Sequence, residues 1–372
     1  MNDSVKIIIS GGGTGGHIFP AIAIANSLKK RMADHAVILF TGANGKIEME
    51  KVPEAGYRII GLNITGIQRS FSLKNILKNL SFPFKLMQSS KHAKRIIREF
   101  APDIVVGVGG FASGPTLRGA IKLHIPTLIQ EQNSYPGITN KILSKKADKV
   151  CVAYSGMEQY FSPEKIVLTG NPVRRQVIDI EGKREEAIRF FNLNQNKKTL
   201  LIVGGSLGAW TINKAIRSGL EEFEKADIQI IWQTGKPYFE QAQEAAKVKQ
   251  DVHAIQFIKE MDMAYAAADV IVSRAGAIAI SELCNVGKPV VFVPYPHAAE
   301  NHQMRNAMAL LEKNAALMIP DAEASEKLVK TVLELFDNSS RMQKLSSNIK
   351  LLAISDAGEK IVNEILKLIE KG

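Results

Sequence analysis

VKIIISGGGTGGHIFPA, residues 5–21, runs from an apolar segment through five glycines, a threonine and a histidine into a second apolar segment. Ile7-Ile8-Ile9 reads as a buried strand, because a parallel strand covered on both faces carries an unbroken apolar run. From Ile18 onward, IFPAIAIANSLKKRM places apolar residues at helical spacing. The glycines therefore sit in a strand-to-helix turn. Glycine allows backbone to approach a ligand closely. The N–H groups that open the following helix favour an anion at that point, a phosphate first of all.

Working outward, strand-like runs alternate with helical ones along most of the chain. In the first half they are VKIIIS, AVILFTG, YRIIGLNI, DIVVGVGG, PTLIQE and KVCVAY; in the second, LLIVGG, IQIIWQT, HAIQF, DVIVS, PVVFVP and ALMI. Such alternation predicts an α/β fold with parallel, doubly wound sheets. The pattern restarts after KIVLTGNPVRR, so the domain junction is expected near Asn171-Pro172, followed by a long charged helical segment, EGKREEAIRFF. SDAGEKIVNEILKLIEKG at the close reads as an amphipathic helix. Two Rossmann-like halves then each begin with a glycine-rich turn, GGGTGGH and GGSLGA. Each offers a crevice at the carboxyl edge of its sheet, and the two crevices are expected to face one another across a cleft.

The 372 residues suffice for two domains, and 45% hydrophobic with 23% charged residues is ordinary for a globular protein. Cys151 and Cys284 make neither a disulfide framework nor a metal motif, which fits a reducing compartment. MNDSVK leads straight into a strand, so no signal peptide is expected. No apolar run approaches the ~18–20 residues of a spanning helix. The net charge of +11 lies wholly in the first part: residues 1–165 hold 22 Lys+Arg against 11 Asp+Glu, and the remainder holds 26 of each. An anionic partner of that part is expected, whether membrane surface, nucleic acid or phosphorylated substrate.

Gly11, Gly13 and Gly16 fit G-x-G-x-x-G, but the second strand ends Phe40-Thr41-Gly42 without the acid that a dinucleotide ribose needs. No P-loop lysine motif is present. The stronger nucleotide signal is ADVIVSRAGAIAISELCNVGKPVVFVPYP. Its strand ends in Arg274-Ala275-Gly276, and a helix is expected from about Ala277, whose N-terminus suits a diphosphate without a metal. Glu282, one to two turns in, suits the two hydroxyls of a ribose; a solvated helix-face glutamate is the other reading. His17 stands beside the first turn, and histidine's ordinary pKa of about 6.5 suits a general base; a loop-capping histidine is the alternative. Residues 64–100 carry eight Lys+Arg against one acid, with Ile76, Leu77, Leu80, Phe82, Phe84 and Leu86 among Lys74, Lys78 and Lys85. That mixture suits an anionic bilayer surface or, equally, a core-facing stripe with a solvated basic face, and Pro83 should break any single long helix there. Aromatics are too sparse, at 6%, to favour nucleic acid.

GGTGGH at 12–17, QEQN at 130–133, GNPVR at 170–174, GGSLGA at 204–209, RAGAIAISE at 274–282, and HQ before NA at 302–307 occur in one order along the whole chain. Together they resemble the MurG-type peptidoglycan N-acetylglucosaminyltransferases of glycosyltransferase family 28. The resemblance implies a GT-B fold, two Rossmann-like doubly wound domains facing a cleft. It implies an inverting transfer of N-acetylglucosamine from UDP-GlcNAc to the 4-hydroxyl of the MurNAc of lipid I, giving lipid II, without cofactor or metal. Peptidoglycan synthesis, and with it cell-wall biogenesis, cell shape and division, would be the setting. The enzyme would lie peripherally on the cytoplasmic face of the bacterial cell membrane, held by the basic apolar stretch 64–100.

The same resemblance makes residues 1–172 the acceptor-binding, membrane-associating domain, with a terminal helix from about 350 to 372 packing back on it, and 173–349 the donor domain. It implies His17 as base, with Glu131 as an orienting group or alternative base. Thr14, Gly15 and Gly16 would approach the donor sugar or acceptor diphosphate, and Asn133 and Gln303 the sugar. Arg174 would bind phosphate or close the cleft, although an interdomain salt bridge fits it too. Ser206 would hold the diphosphate, the backbone of Ile258 the uracil edge, and Ala277, Ile278, Ala279, Ile280, Ser281 and Glu282 would wrap the nucleotide. Where the family often has threonine, this chain has Ala279, which leaves more of the α-phosphate contact to backbone N–H groups. Competing readings are a UDP-GlcNAc 2-epimerase or a transferase with a soluble acceptor, and a non-catalytic nucleotide-sugar or lipid-binding module.

Overall fold

The computed structural model describes residues 4–66, 82–205 and 207–371. The chain divides into two compact units: residues 1–172 with 356–372, and residues 173–355. The first contains seven strands: β1 (Val5–Ser10), β2 (Ala36–Ala43), β3 (Arg58–Leu62), β4 (Ile104–Gly107), β5 (Thr127–Glu131), β6 (Lys149–Val152) and β7 (Ile166–Leu168). They form one parallel sheet ordered β3-β2-β1-β4-β5-β6-β7.

Strand alternation explains the unbroken apolar run of β1. Ile7 and Ile9 face one side, where Ile18, Ile24 and Leu28 of the helix Gly15–Met32 meet Ile361, Val362 and Ile365 of the terminal helix Ala357–Ile369. Ile8 faces the other side, with Val105 and Ile129 beneath the helices Phe82–Phe100 and Ser113–Lys122. All three isoleucines are fully buried, each worth about 1.5–3 kcal/mol relative to exposure. The terminal helix, last in the chain, is thus part of the first unit's core.

The second unit repeats the plan with six parallel strands: β8 (Lys198–Val203), β9 (Ile228–Gln233), β10 (Val252–Ile255), β11 (Val270–Ser273), β12 (Val290–Phe292) and β13 (Leu317–Met318). Their order is β10-β9-β8-β11-β12-β13. Leu200, Ile202, Trp232 and Val272 pack against the helices Trp210–Ser218 and Ala324–Phe336, while Leu201, Ile231 and Ile271 are equally buried on the opposite face. In both sheets the order reverses beside the first strand, between β1 and β4 and between β8 and β11. A ligand crevice at the carboxyl ends belongs at such a switch point.

Two details differ from the sequence reading, and a third bears on Pro83. β7 was not recognised, because it is a three-residue edge strand paired only with β6, with Leu168 left 47% exposed. EGKREEAIRFF yields only the seven-residue helix Arg184–Phe190. The helix Phe82–Phe100 opens with Pro83 in its first turn, a position where proline is tolerated because no N–H is needed. Lys74, Ile76, Leu77, Lys78 and Leu80 lie outside the described residues. Among the described residues no helix is long and apolar enough to cross a membrane.

Candidate active site

At the β1/β4 switch point, the chain leaves β1 through Gly11–Thr14 and enters the helix Gly15–Met32. Thr14 is the N-cap in extended conformation, and its carbonyl accepts from the N–H of His17 (3.2 Å) and Ile18 (3.3 Å). Thr14 and Gly16 are exposed, and His17 is half-buried in the first turn. Facing this turn, the chain leaves β4 through Val108-Gly109-Gly110. Gly110 has φ +77°, and a Cβ there would lie 2.2 Å from the carbonyl oxygen of Gly12. Only glycine lets these two loops come so close.

A third loop, after β5, completes the edge. His17 Nδ1 lies 3.0 Å from Gln132 Oε1. Glu131 is buried, and its carboxylate accepts from four donors: Asn133 N (3.0 Å) and Nδ2 (3.2 Å), Gly137 N (3.2 Å) and Asn140 Nδ2 (2.8 Å). The structure therefore gathers Thr14, Gly15, Gly16, His17, Glu131 and Asn133 at one sheet edge. It turns Glu131 inward as the clasp of residues 131–140.

Sequence reasoning missed a second buried carboxylate here. Glu48, on the short helix Glu48–Glu54, accepts from Gly13 N (2.9 Å) and Ala43 N (2.9 Å), tying the glycine turn to the end of β2. EMEKVPE looks like a charged surface helix, so only the spatial approach of β2 reveals the role. Glu48→Ala leaves the buried N–H of Ala43 and the part-buried N–H of Gly13 without this acceptor, at about 1–3 kcal/mol each. We expect a loss of about 3 kcal/mol in urea denaturation; a loss below about 0.5 kcal/mol would show the clasp to be unimportant.

In the second unit, the β8/β11 switch point is built from Gly204, Gly205 and Gly208, the turn Arg274-Ala275-Gly276 and the helix Ala277–Val286. Gly276 is the N-cap and Gly287 the left-handed C-terminal stop, with φ +73°. The helix thus begins at Ala277 as its sequence predicts. Gly208, at φ +75°, lies against the residue after β9: a Cβ would fall 2.1 Å from Thr234 O. Gly205 O accepts from Gln233 Nε2 (2.7 Å) and from Gly208 N (2.9 Å). Ser206 between them lies outside the described residues.

Glu282 accepts a hydrogen bond from Tyr265 Oη (3.3 Å). Burial holds its carboxyl above the ordinary carboxylate range, opposed by the nearby Arg174 guanidinium and by the tyrosine bond. Burial also pushes the Tyr265 phenol well above its usual value, with the Glu282 charge adding to it. Arg174 is exposed and acts on both groups through space. Ala277 and Ile280 are buried, and Ile278 and Ala279 partly so. Ser281 Oγ donates back to Ala277 O (3.0 Å). Gln303 Oε1 accepts from Tyr295 N (2.9 Å), and the side chain of Ile258 is buried. Arg274 is committed elsewhere. Its guanidinium donates to Val293 O (3.0 Å) and pairs with Asp321, which also accepts from Thr211 Oγ1 (2.9 Å). Arg274 thereby joins the ends of β11 and β12 to the turn Asp321–Glu323.

The N-terminal domain of glycosyltransferase family 28 matches residues 7–152, and its C-terminal domain matches residues 199–368. The chain is 53% identical, over 98% of its length and 99% of the relative's, to a UDP-N-acetylglucosamine–N-acetylmuramyl-(pentapeptide) pyrophosphoryl-undecaprenol N-acetylglucosamine transferase of Parabacteroides distasonis. The chain belongs to glycosyltransferase family 28. A protein of the same description from Bacteroides fragilis is 51% identical, over 100% of this chain and 97% of that one. Among solved structures, MurG of Acinetobacter baumannii matches with a TM-score of 0.78 at 27% identity, over 98% of this chain and 99% of that one. A UDP-GlcNAc 2-epimerase of Neisseria meningitidis matches with a TM-score of 0.65 at 16% identity, over 98% and 99%, and shares the fold. The expected GT-B architecture and glycosyltransferase class are borne out. The match to the family 28 C-terminal domain runs past residue 356, so it includes a helix that packs in the first unit.

Proposed function

We propose that this family 28 enzyme transfers N-acetylglucosamine from UDP-GlcNAc to the 4-hydroxyl of the MurNAc of lipid I, with inversion, yielding lipid II for peptidoglycan. The carrying observation is full-length identity above 50% to relatives named for this transfer, combined with a switch-point site in each unit. The donor belongs in the second unit. The opening N–H groups of the helix Ala277–Val286, together with Ser206, hold the diphosphate; Glu282 takes the ribose hydroxyls and Gln303 the sugar. Backbone at Ile258 reads the uracil edge, and Arg174 stabilises phosphate charge. The acceptor belongs in the first unit, where His17 takes the proton of the attacking hydroxyl and Thr14–Gly16 meet its diphosphate.

The chemistry follows from these placements. As the bond from the anomeric carbon to UDP breaks, negative charge grows on the diphosphate, where fixed N–H dipoles stabilise it without reorganisation. The acceptor hydroxyl attacks from the opposite side and the configuration inverts. Glu131 is a positioning residue rather than a second base, because its carboxylate already serves four donors. Release of UDP from UDP-GlcNAc, dependent on an added lipid I analogue, tests the reading; UDP-GlcNAc turnover without acceptor, or conversion to an epimer, would contradict it.

The first unit also supplies a surface for the membrane that carries such an acceptor. A groove of about 350 Å³ between the helices Phe82–Phe100 and Ser113–Lys122 is lined by Leu86, Met87, Lys91, Lys94, Arg118 and Lys122. Phe84 and Met87 are exposed beside it, at 65% and 51%. Lysines meeting anionic headgroups contribute about 1 kcal/mol each. The double variant Arg118→Ala/Lys122→Ala should therefore weaken pelleting with phosphatidylglycerol vesicles about 30-fold at low salt. Equal pelleting of variant and parent would remove this groove from the membrane contact.

A further inference from the structure

We infer that Gln132 is the positioning residue of His17, and that it fixes the imidazole as the tautomer whose Nε2 is bare. The inference comes from the direction of a linked set of hydrogen bonds. Asn171 Nδ2 donates to the backbone carbonyl of Gln132 (3.0 Å), which can only accept, so Asn171 Oδ1 must be the end facing Gln130. Gln130 Nε2 donates to that oxygen (2.9 Å), which leaves Gln130 Oε1 facing Gln132. Gln132 Nε2 donates to Val108 O (2.8 Å), to Gln130 O (3.0 Å) and to Gln130 Oε1. Reversing the Gln132 amide would set an oxygen against three acceptors. Its Oε1 is therefore the atom 3.0 Å from His17 Nδ1, and a carbonyl oxygen can only accept. Nδ1 carries the proton, and in a neutral ring Nε2 then keeps its lone pair.

The backbone around the ring supports the same role. Cβ atoms at Gly109 and Gly110 would approach the imidazole to 3.1 and 3.2 Å, so the glycines provide the floor on which it lies. All of Gln130, Gln132 and Asn171 are buried, where a mis-directed amide is most expensive. The device differs from a histidine–carboxylate pair. An amide sets the tautomer without adding a negative charge beside the ring. The QEQN motif is thus divided by alternation along the chain: Glu131 clasps the loop while Gln130 and Gln132 aim the histidine.

The functional consequence rests on His17 being the base, but the tautomer itself does not, and the test separates them. The full chain, labelled with ¹⁵N-histidine, is studied by long-range ¹H–¹⁵N correlation at a pH where His17 is neutral, with His17→Asn identifying the signals. The expected spectrum shows His17 protonated at Nδ1 and unprotonated at Nε2. A ring protonated at Nε2 in the parent protein overturns the inference, whatever the activity. Gln132→Met should release the ring to the Nε2-protonated form and lower kcat at least about 10-fold, with the KM for UDP-GlcNAc within about twofold. An unchanged tautomer and kcat in that variant would also overturn it. Should Gln132→Met not fold, the parent spectrum alone decides. An Nδ1-protonated parent with a fully active His17→Ala would leave the tautomer standing and remove the base.

Discussion

His17→Ala is expected to lower kcat for sugar transfer by about 10²–10⁴-fold, the usual worth of a positioned general base. The hydroxyl that attacks must lose its proton as the new bond forms. At the β1/β4 edge, the half-buried imidazole stands at the start of the helix Gly15–Met32 beside the glycine turn. Glu131 is not expected to replace it, because four donors already occupy that carboxylate. UDP affinity should stay within about twofold, since the nucleotide is assigned to the other unit. Steady-state kinetics with a lipid I analogue, alongside calorimetric UDP binding, checks both halves. A fully active variant would remove His17 as base, and a variant that had lost UDP binding would place it in the donor site instead.

Glu282→Ala should weaken UDP about 100-fold. Two hydrogen bonds from ribose hydroxyls to a carboxylate are worth about 1.5 kcal/mol or more each, and each 1.4 kcal/mol is tenfold in affinity. The raised carboxyl of Glu282 adds a pH signature. Ribose hydroxyls donate to the ionised form, so binding favours deprotonation. UDP affinity should therefore fall as pH drops, starting above the ordinary carboxylate range, and Glu282→Gln should flatten that limb. The free protein should respond the other way. A carboxyl whose folded pKa lies above its unfolded value contributes stability at low pH, below the unfolded pKa, and loses it as pH rises through the folded pKa. At neutral pH the ionised Glu282 is thus a liability to the empty enzyme. Glu282→Gln should raise the apo melting temperature near pH 7, with the gain shrinking towards pH 4. A site that binds better by holding a less stable charge is the expected trade-off at a functional residue.

The fold was legible where burial forces a simple pattern. Ile7-Ile8-Ile9 announces a strand covered on both faces, and the RAG turn after VIVS marks a helix start that the structure places at Ala277. β7 escaped because three residues at an edge, half exposed, carry no period. Much of what builds the candidate sites was legible only in part. QEQN stood out as a motif, yet nothing in four letters says that its glutamate faces inward while its second glutamine meets a histidine 115 positions away. Glu48 and Tyr265 were invisible for the same reason: their partners come from distant strands and helices. Arg274 is a further case. The sequence marks it only as the start of a turn, whereas its guanidinium is committed to Asp321 and the carbonyls after β12.

The central claim is that the donor nucleotide is held by the second unit at the β8/β11 switch point. A crystal structure of the full chain with UDP tests it most directly. The account predicts uracil near Ile258, ribose hydroxyls on Glu282 and the diphosphate at the opening of the helix Ala277–Val286. Base and ribose seated instead against Gly11–Gly16 in the first unit would contradict it.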